Sequence, residues 1–300
     1  MSNQHFLQAI RAWADDDIPT AARLASRVFE REPEHLVYAE AALYLDRLLQ
    51  EGRQNVYVSP KGFRAFIRSG GNVSLYRETS AALKQVYEQL RPISLLDIGV
   101  GDGLALLPAL TDNIRQIDLI EPSTALLDQT SAALAKRGVP HRGHNGTLQQ
   151  FVAQHGDAHW DLAEATFSLQ SIPPDERSVL LHWLRTHVDR LIMVEFDVPT
   201  YASGADPTDF LSLQRIDYVT TRYLRGLTEY HNQTKDDSVV AQGFLMPVFF
   251  GYFDRSANRT NWEIPVPDWV DLLRAAGFTQ IEVRPIFDYW WAPACMIDAS

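Results

Sequence analysis

One short stretch constrains this chain more than any other: Ile93-Ser94-Leu95-Leu96-Asp97-Ile98-Gly99-Val100-Gly101-Asp102-Gly103. An apolar run ends in an acid, three glycines alternate, and Leu104 to Leu110 continue as an apolar helical face. This is a buried strand, a tight turn and a helix start, the layout of a nucleotide-binding βα corner. The glycines tolerate the backbone angles of a sharp turn and let N–H groups come close to a ligand. Spacing then narrows the ligand. A dinucleotide fingerprint reads G-x-G-x-x-G, and its third glycine packs the helix on the strand. Counted from Gly99, that place is held by Leu104, so the dinucleotide reading fails.

The pattern is instead D-x-G-x-G-x-G, which resembles motif I of the class I S-adenosylmethionine (SAM) dependent methyltransferases. The stretch after the fourth strand has Pro173-Pro174 without the leading amide or following aromatic of the amino-methyltransferases, and looks more like the family's small-molecule branch. The resemblance implies that Asp97, Gly99, Gly101 and Gly103 form the turn around the amino-acid part of SAM. Gln116 to Ser123 is a second short strand ending in an acid. There the resemblance implies that Glu121, followed by Pro122, accepts hydrogen bonds from the ribose hydroxyls, as the acid of dinucleotide folds does. It also implies that the residues after the third strand, Thr147 and Leu148, meet the adenine ring. Phe167, at the end of the fourth strand, is placed beside the methyl donor. Tyr76, with Tyr57 and Asn72, comes from the segment that covers bound cofactor in this family; aromatic packing between helices is the alternative for the tyrosines.

The expected fold is an α/β Rossmann-like, seven-stranded sheet whose last strand is antiparallel. Strands are expected at 94–98, 116–121, 140–144, 160–168, 190–197, 278–286 and 293–299, separated by helical segments, which argues for a parallel sheet with helices on both faces. Only Phe287 to Ala292 separate the last two strands. That is too short for a crossover, so they must pair as an antiparallel hairpin. Asp268 to Phe278 is a helix with a glycine stop at Gly277.

Residues 1–52 read as an N-terminal helical cap, and 53–300 as the methyltransferase domain. Phe6, Ile10 and Trp13 share one helix face, Asp15-Asp16-Asp17-Ile18-Pro19 starts a second helix, and Gly52 closes a third. The small residues of the second helix (Ala21, Ala22, Ala25) suggest a cap or a homodimer surface. Residues 199–265 form an insertion between the fifth and sixth strands, far longer than a normal connection. Within it, 206–231 reads as a helix, and Gly243 to Phe253 is the most aromatic run of the chain, a substrate lid or a core β-hairpin. His231 and Tyr252 are the candidate general bases, Arg222 and Arg225 candidate carboxylate clamps, and Phe249 and Tyr252 candidate substrate contacts. Glu195 and Asp197 end the fifth strand as a base, an amine-binding acid or structural carboxylates, and His144 reads as an exposed turn residue.

The formal net charge of −11 argues against a nucleic-acid substrate, because phosphate recognition needs a basic groove. No apolar run reaches membrane-span length, the first residues lack a signal-peptide layout, and a single cysteine, Cys295, suits a reducing cytosol. No His/Asp/Glu spacing suggests a metal. The resemblance implies a SAM-dependent transfer of methyl to O, N or C of a small molecule, and a biosynthetic enzyme in the cytoplasm is expected. A SAM-binding protein with a different non-redox chemistry, or a non-catalytic interaction protein, are the rivals.

Overall fold

The computed structural model describes residues 2–52, 59–156, 158–203, 211–231, 237–254 and 261–300. Tyr57 and the start of the expected helix, 206–210, lie outside them. In chain order the elements begin with α1 (Ser2–Ala14), α2 (Ile18–Arg31), α3 (Leu36–Glu51), α4 (Pro60–Ile67) and α5 (Gly71–Leu90). The sheet region follows with β1 (Ser94–Ile98), α6 (Leu106–Ala109), β2 (Gln116–Ile120), α7 (Thr124–Lys136), β3 (His141–His144), α8 (Leu148–Val152), β4 (Trp160–Thr166), α9 (Pro174–His187) and β5 (Val188–Phe196). The insertion carries α10 (Leu213–His231), α11 (Asp237–Val240) and α12 (Met246–Gly251). The chain ends with α13 (Val266–Ala276), β6 (Ile281–Asp288) and β7 (Pro293–Ala299). The chain divides into two units, one of residues 1–73, 200–259 and 290–292, the other of 74–199, 260–289 and 293–300.

The first unit is helical, and it joins the N-terminal helices and the insertion in one core. Asp17 caps α2 by accepting from the Thr20 N–H, with Pro19 in the first turn. The small-residue face of α2 is buried between α1 and α3. Trp13 donates its indole N–H to the Phe250 carbonyl at 2.9 Å, and Tyr44 stacks on the Phe250 ring at 5.1 Å. The aromatic run at 243–253 is helical, a π-turn at Ala241–Leu245 leading into α12, so the β-hairpin alternative is overturned. Its rings recur at helical spacing, which puts Phe249, Phe250 and Phe253 all inside. At Gly62 the backbones of α4 and the π-turn touch: a Cβ there would sit 2.5 Å from the Gly243 carbonyl oxygen.

The second unit is a seven-stranded sheet in the order β3-β2-β1-β4-β5-β7-β6. All neighbours are parallel except β7, which is antiparallel to both β5 and β6, as the short final connection required. Pleating sends Leu95, Ile117, Leu119, Leu162 and Ile192 to the face covered by α5 and α7. Leu96, Ile98, Ile120, Ala163 and Met193 go to the face covered by α8, α9 and α13. Strand limits match the sequence within three residues at every end. Gly277, at φ 103°, ends α13 as expected.

His144 departs from its expected role. It ends β3 with its ring 3.0 Å from Asp118, and Asp118 also takes two bonds from Arg142 and one from the Trp160 indole. Burial alone would raise the Asp118 carboxyl, but the bonds from Arg142, Trp160 and His144 hold it down at about 2. A strand-end histidine looks solvated in sequence because its buried acid lies one strand away.

Candidate cofactor site

The site is built at the carboxyl edge of β1 and β2, where ligands of open α/β sheets bind. Gly99, Gly101 and Gly103 all have positive φ, at 75°, 57° and 75°. Gly99 is needed for a second reason: a Cβ on it would lie 2.5 Å from Ser168 Cβ, and Ser168 itself donates to the Ile98 carbonyl at 2.6 Å. At Gly101 a Cβ would meet nothing within 4 Å, so the apex of the turn faces open space. Gly99→Ala therefore combines left-handed strain of about 1–2 kcal/mol with a core clash, whereas Gly101→Ala carries the strain alone. Thermal unfolding should show a clearly larger drop for Gly99→Ala; equal drops would refute the packing role.

Glu121 closes the turn. Its Oε2 accepts from the Gly101 N–H at 3.0 Å and its Oε1 from the Ser123 N–H at 2.8 Å. A carboxylate has about four acceptor positions, so two stay available for ligand hydroxyls. Asn145, which sequence reasoning missed, donates to the carbonyls of both Glu121 and Pro122 and pins this corner. Pro122 is exposed.

Tyr76 and Phe167 are brought together, edge to face with centroids 6.2 Å apart. Burial, then the charge of Asp102, pushes the Tyr76 phenol up to about 12, so it is a neutral donor at any physiological pH. Phe167 adopts φ 53°, a left-handed value uncommon for a bulky residue, and stacks on Phe196 at 4.6 Å, which in turn stacks on Tyr289. Asn72 belongs to the helical unit, where its buried amide donates to Phe66 O and Tyr230 Oη. Thr147 caps α8 in a reciprocal box with Gln150, which occupies its N–H. Leu148 is buried in the core among Phe151, Leu169 and Leu180.

Asp97 is buried below the turn, and both it and Glu164 are pushed above the ordinary carboxylate range, by burial first and then, for Asp97, by the Glu164 charge. At the end of β5, Glu195 is buried and raised to about 8, by burial and the charge of Glu263, against the pull of Arg177 and of backbone bonds from Gln170 and Leu169. Asp197 accepts from the Val266 N–H, fastening the start of α13. Asp197 is thereby engaged structurally, whereas Glu195 Oε1 has no hydrogen-bond partner. Cys295 is buried on β7 with its thiol pushed up by burial.

In the helical unit, His231 is the exposed last residue of α10 and Arg225 is also exposed. Arg222 donates to the Trp290 carbonyl at 3.4 Å and lies over the Tyr218 ring. Phe249 is wholly buried against Phe6, Tyr223 and Phe253. The Tyr252 ring packs on Trp291 at 4.7 Å, and its carbonyl accepts from Arg215 at 3.2 Å. Among the described residues, no group of three or more His, Cys, Asp or Glu is placed to hold a metal, and no helix is long and apolar enough to cross a membrane.

No protein-family profile matches the chain, and no curated relative does. Solved structures do resemble it. Magnesium protoporphyrin IX methyltransferase from Synechocystis PCC 6803, with bound S-adenosylhomocysteine (SAH), aligns over 79% of this chain and 92% of its own at 13% identity, with a TM-score of 0.51. An O-methyltransferase family protein from Burkholderia thailandensis aligns over 91% of this chain and 62% of its own, at 11% identity and a TM-score of 0.50. With the strand order, the antiparallel β7 and the glycine turn after β1, these likenesses establish that the chain has the fold of the class I SAM-dependent methyltransferases.

Proposed function

We propose that this protein is a SAM-dependent methyltransferase acting on a small molecule. The observation that carries the reading is the Glu121 carboxylate closing on the Gly101 N–H across an open glycine turn, with acceptor positions to spare for a ribose. The donor set fits SAM. The N–H groups of Gly99, Val100, Gly101 and Gly103 are taken within the protein, so the fit rests on Glu121, which suits the ribose hydroxyls, and on the electron-rich faces of Tyr76 and Phe167, which suit a sulfonium.

SAM, when bound, supplies an electrophilic methyl group on a positively charged sulfur. The chain's part is alignment and exclusion of water, from which much of the rate of an in-line displacement can come. A general base is required only where the acceptor carries a proton that must leave. His231 and Tyr252 are the proposed bases, and Arg222 and Arg225 the proposed contacts for an acidic acceptor. His231→Ala should lower turnover and leave SAM affinity unchanged. The net charge of −11 favours a small acceptor over a polyanion, and the buried lone cysteine is consistent with a cytosolic setting. Titration calorimetry of the purified chain with SAM and SAH tests the reading. Micromolar binding of either is expected, whereas no binding of either, with NAD run alongside, would overturn it.

A further inference from the structure

Below the glycine turn lies a buried cluster built around Asp97. Asp97 on β1 and Glu164 on β4 stand directly opposite in strand register, 2% and 0% exposed. Tyr87 of α5, also fully buried, donates its hydroxyl to Glu164 Oε2. The Asp97 and Glu164 carboxyls are thus neighbours on adjacent strands, both out of water. Two ionised carboxylates side by side in a buried site repel, which favours a proton on one of them. The groups facing the pair only reinforce this: Tyr87 from α5 and Glu121 from the end of β2 are neutral or acidic. Among the described residues, no Lys, Arg or His forms an ion pair with Asp97, Glu164 or Glu121. One oxygen of each carboxyl, Asp97 Oδ1 and Glu164 Oε1, has no hydrogen-bond partner.

We propose that Glu164, held by Tyr87, is a positioning residue for the cofactor turn: it keeps one proton on the Asp97–Glu164 pair, and a ligand that brings positive charge to the turn expels that proton to solvent. The inference rests on the reading of this turn as a SAM site. The step is a simple one. The carboxylic O–H bond breaks, its electron pair stays on oxygen, the proton passes to the buffer, and no bond of the ligand changes.

The direction of the pH effect follows from linkage. Where the pair holds its proton, a cationic ligand must displace it and binds more weakly. Where the pair has already ionised, that cost is gone, so affinity rises with pH, by at most tenfold per unit for one proton, and then levels. Burial raises both carboxyls, which moves this window above the usual acid range of carboxylates. SAM carries a sulfonium as well as an ammonium, whereas SAH carries the ammonium alone. The pair should therefore lose more of its proton to SAM than to SAH, and regain it as the charge on sulfur is spent.

The test is calorimetry of the full chain at pH 6.5 in two buffers of different ionisation enthalpy. There the ligand's own amino group, with a pKa of about 7.7–8, is almost fully charged and contributes little. Wild-type protein should release up to one proton on binding SAM and less on binding SAH. Glu164→Gln keeps the shape but cannot hold an acidic proton, so release should fall close to zero and SAM affinity should lose its pH dependence. Tyr87→Phe removes the hydroxyl that steadies the ionised Glu164, and should move proton release to higher pH; it decides the matter if Glu164→Gln does not fold. SAM binding without proton release in wild type, or unchanged release in both variants, would overturn the proposal while leaving the cofactor reading intact. Failure of the wild type to bind SAM at all would overturn both.

Discussion

Glu121→Ala is expected to weaken SAM binding by about 100-fold while the protein stays folded. Two hydrogen bonds from ribose hydroxyls to a carboxylate are each worth about 1.5–3 kcal/mol. A loss of about 3 kcal/mol corresponds to about two decades in Kd. The same substitution removes the acceptors of the Gly101 and Ser123 N–H groups, so the turn loses its brace along with the proposed ribose contact. Stability should change less than affinity, because the turn faces open space where water can replace the carboxylate, and because one acid is removed from beside Asp97. Glu121→Gln retains an acceptor oxygen and should fall between wild type and alanine. Calorimetry with SAM, beside a thermal melt of each variant, separates the two effects. Wild-type affinity in a folded Glu121→Ala would remove the ribose assignment.

Arg177→Met should destabilise the sheet unit by about 3–5 kcal/mol, the range seen when one partner of a buried charged group is removed. The guanidinium is 2% exposed and lies 4.5 Å from the Trp269 ring centre. It donates to Ile172 O at 2.9 Å, to Trp262 O at 2.5 Å and more weakly to Gln170 O at 3.4 Å. It thereby ties the turn after β4 to the segment before α13, beside a second bond from the Trp262 N–H to Gln170 O. Methionine nearly matches its length and apolar bulk but satisfies none of those carbonyls.

The loss should also depend on pH, because Arg177 is the cation that opposes the upward shift of Glu195. A buried acid raised in the folded state contributes stability that is present at low pH and is lost as pH rises through its folded pKa, here about 8. Without Arg177 the ionised form meets only burial and Glu263. Urea unfolding should therefore show a larger loss at pH 9 than at pH 6. An equal loss at both values would show that Arg177 acts through its carbonyl bonds alone.

Local signals make much of this molecule legible in its sequence. The strand-acid-glycine order at 94–103 carries its own geometry, because only a left-handed turn suits three alternating glycines there. Glu121 was legible because the acid that ends β2 sits beside the turn by the topology of a parallel sheet. The hairpin of β6 and β7 followed from a connection too short to cross over, and Gly277 from the stop it imposes on α13. Asp17 and Pro19 marked the start of α2 in the same way, as a cap and a first-turn residue.

What sequence could not supply are relations between residues far apart in the chain. Tyr87 reads as one more apolar helix position and Glu164 as a strand acid of no particular note. Their meeting with Asp97 depends on the register of β1 against β4 and on which face α5 covers. His144 looked solvated until β2 set Asp118 beside it, and the aromatic run at 243–253 was open between lid and hairpin until helical packing turned its rings inward. The sequence by itself determined the sheet, its turn and the acids at its edge, since periodicity, glycine spacing and connection length are local properties. Only the tertiary structure decided which buried acids face each other and which aromatics serve the core, because burial and pairing depend on neighbours that only folding brings together.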